Sequence, residues 1–293
     1  MTRARSIPAL AVLIATTGLL SACYLPTMDM KKQTTMRMAV PNGMFERAIE
    51  ADPYNITVFE RIRQKNTIAN VYIEGGQVIW DDFIREREVA TPTNPLALHM
   101  ATRDKADNII WLARPCQFSY APKIDGSACT REEWANGRFS VTNLRAMNAA
   151  LDNVKAKYGF TGFNLIGVQD GAGVAVHLAA ARKDILSLRT VSGVLDTDVL
   201  PHEKHETFVD KTSNNPGIHA AALAQLPQQH FIGQWADDVG PGMAQTFRSH
   251  AGNSPCIRVS EVQGVTDEKG WVNRWPDLLK TPLDCKAGMA PAQ

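Results

Sequence analysis

Gly167-Val168-Gln169-Asp170-Gly171 carries the densest chemical signal in the chain. Two glycines stand two positions either side of a central residue. An apolar run, Phe163–Val168, precedes them, and an Ala-rich stretch from Gly171 to Arg182 follows. A strand that turns directly into a helix needs small neighbours at those two positions, and the turn holds its central side chain at the tip on a strained backbone. A serine there attacks carbonyl carbon. The residue here is Gln169, whose carboxamide is not a useful nucleophile. Asp170, one position later, lies between Val168 and Ala172, so the tight turn disfavours it as a substitute nucleophile.

Other candidates are weaker. His202-Glu203-Lys204-His205-Glu206 misses the HExxH spacing by one residue and reads as a solvated charged loop, so no metal site is expected. Ser192 ends a strand and reads as structural, and Ser119 and Ser127 have no base in obvious reach. His230 reads as a satisfied buried histidine, His177 as packed on the helix after the turn, and His99, His219 and His250 as ordinary helix residues. Trp271 and Trp275, four apart, share a helix face that reads as core.

The N-terminus is an export signal rather than part of the fold. Arg3 and Arg5 form a basic start, and Ile7–Leu20 is too short and too poorly flanked to span a bilayer. Leu20-Ser21-Ala22-Cys23 resembles the lipobox of bacterial lipoproteins, which implies cleavage before Cys23 and acylation of its thiol. Residues 1–22 are then a signal peptide, and losing Arg3 and Arg5 takes the formal charge of +1 down by two. Each buried acyl methylene contributes ~0.8 kcal/mol, so several chains anchor firmly. Tyr24, not Asp, follows the cysteine, which favours an outer-membrane destination in the cell envelope. Four cysteines remain: Cys116, Cys129, Cys256 and Cys285. In an exported chain that reads as two disulfides; of three pairings, Cys116–Cys129 with Cys256–Cys285 is expected. No cysteine pair has CxxC spacing, and the near-neutral charge shows no basic stripe for nucleic acid.

Residues 23–52 read as a lipidated tether with a short helical stretch near Phe45–Ala48, ahead of a single domain over 53–293. Ile56–Ile62 alternates as a strand, Gln64–Thr67 is a turn and Ile68–Ile73 a second strand, together an antiparallel hairpin. Helices are predicted over Asn94–Thr102, Asn143–Tyr158, Gly171–Arg182, His219–Leu226, Met243–His250 and Trp271–Leu279. Strands are predicted over Asn108–Ala113, Phe163–Val168, Ile185–Val191, Gln229–Gly233 and Cys256–Val262. This alternation implies an α/β domain: a mainly parallel sheet with helices on both faces. The polar stretch Asp196–Pro216 sits where a cap insertion would fall.

Several phrases make a more specific likeness. They are Val71-Tyr72-Ile73-Glu74-Gly75, Leu112–Gln117, the glycine-flanked turn, Val191–Asp196, Leu226–Gly233 and Gly270-Trp271 through Trp275-Pro276. Through them the chain, from about 56 to 285, resembles a group of proteobacterial lipoproteins of the α/β-hydrolase fold. The resemblance implies that Gly167 and Gly171 frame a nucleophile elbow whose serine is replaced by Gln169. It puts the triad acid at Asp237, or Asp238 if the register slips by one. It puts Asp267 where the base histidine belongs. It makes Glu74-Gly75-Gly76 an altered oxyanion loop. A triad of Gln169, Asp237 and Asp267 lacks both an attacking oxygen and a base of suitable pKa. The implied protein is a pseudoenzyme without cofactor, held to the membrane by its lipid and binding a small ligand or an envelope protein. The alternative is an active ester or acyl hydrolase with a non-standard nucleophile.

Overall fold

A computed structural model describes residues 27–76, 91–118, 129–134, 136–200, 214–234, 241–265 and 268–285. Eight strands form one sheet: β1 (Phe45–Ala51), β2 (Tyr54–Ile62), β3 (Ile68–Ile73), β4 (Asn108–Leu112), β5 (Gly162–Val168), β6 (Ile185–Val191), β7 (Gln228–Gly233) and β8 (Ile257–Val262). Their order is β1-β2-β4-β3-β5-β6-β7-β8. β1, β2 and β4 pair antiparallel, and every pair from β4 to β8 is parallel.

The central strands are nearly continuous runs of apolar residues because both faces of the sheet are covered. Successive side chains point to opposite faces. Val71, Ile73, Ile110, Leu112 and Leu165 therefore join one core. Tyr72, Ile109, Trp111, Ile166 and Val168 join the other. Helices α4 (Val141–Tyr158) and α5 (Asp170–Ala181) fill the first core, with α6 (Pro241–His250) at its edge. Helices α1 (Met28–Ala39), α2 (Leu96–Arg103) and α7 (Glu268–Leu278) cover the second. A one-turn α3 (Arg131–Trp134) leads into α4. Ser140 caps α4 by accepting the Asn143 N–H at 3.3 Å, so the helix starts ahead of the expected Asn143.

Three expectations need correction. An N-terminal antiparallel hairpin is present, but it joins β2 to β1 rather than to β3, and β1 lies inside the stretch read as a tether with helix near Phe45–Ala48. β1 is an edge strand that buries only Ile49 and Ala51, so its alternation is faint. β3 does not pair with β2. It runs between β4 and β5, and the Asn108 side chain accepts the Arg63 and Gln64 N–H groups where a tight hairpin turn was expected. The helix expected over His219–Leu226 is a 3-10 turn, Pro216–His219, followed by further turns. Pro216 starts it and Pro227 disfavours helical backbone at Leu226. Both expected disulfides form, Cys116–Cys129 and Cys256–Cys285, with Cα separations of 5.4 and 4.0 Å. Among the described residues no helix is long and apolar enough to cross a membrane.

Candidate functional site

The turn between β5 and α5 has the geometry its glycines call for. Gln169 stands at the tip with φ +51° and ψ −123°, in a region that side-chain-bearing residues rarely enter. A Cβ on Gly167 would collide with the backbone of Ala172, and one on Gly171 would come within 2.5 Å of the Ile73 carbonyl and 2.6 Å of that of Glu74. The turn is locked into the sheet: the Gln169 N–H donates to Val191, and the Gln169 carbonyl accepts from Ala172 and Val194. The half-buried Gln169 side chain lies over Gly75, where a Cβ would sit 2.7 Å from its Oε1.

The loop after β3 is equally committed. Gly76 N–H donates to Asp170 Oδ1 at 2.5 Å, and Gly75 N–H to Glu74 Oε1 at 3.1 Å. Arg114 Nε donates to the Glu74 carbonyl, and Gln117 Nε2 to that of Gly75. An acyl oxyanion needs free N–H groups aimed at it from this loop. Here the loop donors already hold carboxylate oxygens.

Asp170 is fully buried and also binds Arg114 Nη2 at 2.8 Å and Arg138 Nη1 at 3.2 Å. Burial lowers the Arg138 pKa to about 10, against the attraction of Asp170, and nearby Arg114 lowers it too. A carboxylate held by two arginines and a backbone N–H is a structural counter-ion rather than a poised nucleophile. Glu74 is as deeply buried but meets only neutral donors: Trp111 Nε1 and the N–H groups of Gly75, Ala97 and Leu98. Desolvation raises its pKa to about 7, with those four donors pulling the other way.

Of the residues expected to form the site, the structure brings together Gln169, Gly167, Gly171, Glu74, Gly75 and Gly76 at the carboxyl ends of β3 and β5. Asp237, Asp238, Asp267 and Cys23 lie outside the described residues, as do Ser119, Ser127 and His202–Glu206. Ser192 follows β6 at φ +45° and donates its N–H to Phe231. Among the described residues the one hydroxyl–imidazole hydrogen bond is Thr190 to His230 Nδ1, 2.8 Å. Both are fully buried, and burial drops the His230 pKa to about 3. His230 Nε2 has no partner among the described residues, so within them that histidine is only half satisfied. His177, within α5, lies against Phe139 and is hydrogen-bonded to His219 at 2.9 Å; burial first, then His219, lower its pKa to about 4. Trp271 and Trp275 are core, as expected.

The sequence reading missed Arg114 and Arg138. Arg114 stood in plain view within Leu112–Gln117, but nothing local ties it to Asp170. It also missed a cavity of about 360 Å³ lined by Asp196, Asp198, Asn215 and His250, where His250 Nδ1 meets the buried Asp196 carboxylate at 3.3 Å. Among the described residues no group of three His, Cys, Asp or Glu side chains is arranged to hold a metal.

No family model matches the chain, and no curated protein matches it in sequence. Solved structures do match in fold. An esterase from Pyrococcus furiosus shares 14% identity at a TM-score of 0.55, over 82% of this chain and 91% of that one. A Thermus thermophilus protein shares 13% at 0.53, over 80% and 96%. The acylaminoacyl peptidase of Pyrococcus horikoshii shares 9% at 0.57, over 85% of this chain but 43% of that longer one. The fold is that of the α/β-hydrolases, with the mainly parallel sheet and N-terminal antiparallel hairpin expected from the sequence.

Proposed function

We propose that the chain is a lipid-anchored envelope protein whose α/β-hydrolase-fold domain binds rather than cleaves. The observation that carries this reading is the closure of the elbow upon itself. Gln169 occupies the tip, and the adjacent Asp170 carboxylate fills the Gly76 N–H that an oxyanion would need. A serine hydrolase requires an attacking oxygen and open oxyanion donors together; Gln169 offers no such oxygen, and Asp170 takes up one donor. The sharp turn is nevertheless kept, with its backbone strain. In this reading the turn serves as a rigid part of the scaffold, and the domain's role is to hold a small ligand or an envelope partner. The lipobox-like Leu20–Cys23 supplies the anchor in the same reading, with the outer membrane as its place.

Two experiments test it. Incubation of the purified chain with a fluorophosphonate probe and with p-nitrophenyl butyrate is expected to give no labelled peptide and no hydrolysis above background. A labelled serine peptide with matching turnover would show an active hydrolase using a non-standard nucleophile. For the anchor, metabolic labelling with palmitate is expected to mark the wild-type chain in a bacterial host and to vanish in Cys23→Ala. Equal labelling of both would remove the anchor from the proposal.

A further inference from the structure

Helix α7 packs against α2 on the face of the sheet opposite α4 and α5. Between the two helices lies a cavity of about 630 Å³, lined by Asn94, His99, Arg103, Glu268, Lys269 and Asn273 over a floor of Val272. Its volume falls within the range of small-molecule sites. Its charge is uneven. Glu268, its one carboxylate among the described residues, is bonded to the Asn94 amide. Arg103 and Lys269, both exposed, form no ion pair with any described residue. Asp104 follows Arg103 directly, but its carboxylate turns inward to Asn70, Tyr72 and the Ala106 N–H, leaving the Arg103 charge uncompensated among the described residues.

The two cations come from different helices, Arg103 from α2 and Lys269 from α7. Lys269 adjoins Glu268 where that residue is tied to Asn94, and Arg103 lies at the last position of α2. His99 lies one helical turn before Arg103 on α2 and lines the same cavity. Burial first, then Arg103, lowers the His99 pKa, so at neutral pH it offers a ring N–H rather than a charge. Its ring makes no hydrogen bond to a described residue.

We infer that this α2–α7 groove is a binding site for a small organic anion carrying two or more acidic groups, with Arg103 and Lys269 each taking one. His99 and the Asn273 amide then hydrogen-bond the body of the ligand, and Val272 packs against its carbon skeleton. The site is separate from the elbow and does not depend on what the elbow does.

Calorimetric titration of the purified chain at constant ionic strength and neutral pH tests this, with citrate as the probe and acetate and inorganic phosphate as parallel arms. Citrate is expected to bind at least tenfold more tightly than either, because neither small anion reaches both cations. The double variant Arg103→Ala with Lys269→Ala is expected to weaken citrate at least tenfold with an unchanged melting temperature, since both side chains are exposed. Gln169→Ala is expected to leave citrate binding unaltered. No heat with citrate, equal binding of phosphate or acetate, or an unaffected double variant would each overturn the site.

Discussion

Glu74 and Asp170 end neighbouring segments of the fold, one after β3 and one after β5, and both are shut off from water. Their charges are handled in opposite ways. Asp170 has two guanidinium groups against it, while Glu74 has four neutral N–H donors and no cation among the described residues. Removing a carboxylate from water costs several kcal/mol, and cations offset that cost where dipoles do so only in part. The elbow end is therefore a fixed charge cluster. The β3 end is a group whose ionisation falls near neutrality. The two ends touch through Gly75 and Gly76, so the loop that an oxyanion would visit is clamped from both sides.

The largest expected effect breaks the elbow side. Asp170→Ala takes away the carboxylate that Arg114 and Arg138 share in a fully buried site. Breaking a buried pair in this way costs about 3–5 kcal/mol. Urea unfolding is the measurement. A loss below about 1 kcal/mol would mean the arginines find water, and the contrast with Glu74 would collapse.

Next in size is the pH response of the β3 side. The folded pKa of Glu74 is raised to about 7 from an ordinary 4.5. A raised carboxyl pKa means that the folded state holds the proton more tightly. Its contribution is fully present below pH 4.5 and is lost as pH rises to 7, at about 1.4 kcal/mol per pH unit or roughly 3 kcal/mol in all. The wild type is expected to lose stability across that window. Glu74→Gln, less stable at the outset because its amide N–H faces donors, is expected to lack that slope. Parallel slopes in the two proteins would show that Glu74 is ionised throughout.

These two residues also mark how far the sequence can be read. The elbow is legible because its cause is local: glycines two positions from the tip, between an apolar run and an Ala-rich stretch. The parallel sheet is legible because strands such as Ile109–Leu112 are apolar on both faces. The partners of Asp170 are not legible, because they lie 56 and 32 positions earlier in the chain and come close only once β4 and the entry to α4 are packed. For the same reason the sequence shows Asp170 only as a disfavoured substitute nucleophile, while in space it is a counter-ion. β1 is faint because an edge strand with one wetted face buries little. β2 reads as the partner of β3 because they are consecutive, while the sheet places β4 between them.

The seam joining the two ends gives an intermediate effect. A methyl group at Gly171 would press on the carbonyls of Ile73 and Glu74, which are backbone and cannot rotate aside. Gly171→Ala is expected to cost about 1–3 kcal/mol by overpacking. Gly242 starts α6 with nothing near its missing Cβ, so Gly242→Ala is expected to be neutral or slightly stabilising. Thermal melts of the pair make the comparison, and equal midpoints would show that the elbow can move away from β3.

The smallest expected change in stability tests the chemistry most directly. Gln169 is half-buried and makes no cap hydrogen bond with its side chain, so Gln169→Ser is expected to shift stability by no more than about 0.5 kcal/mol. Its φ of +51° is already accommodated, and serine needs less room. The variant restores an attacking hydroxyl at the tip, and pairing it with Asp267→His restores the residue type expected of a base. The double variant is still expected to stay at background with p-nitrophenyl butyrate. The Gly76 N–H remains bonded to Asp170, and loss of one oxyanion donor alone costs roughly 10²–10³ in rate. Turnover a hundredfold above wild type would show that the Asp170 carboxylate leaves Gly76 when an acyl oxygen arrives, despite its two arginines. The bond from Gly76 to Asp170 would then be no bar to an acyl oxygen, and the reading of the elbow as a fixed charge cluster would fail.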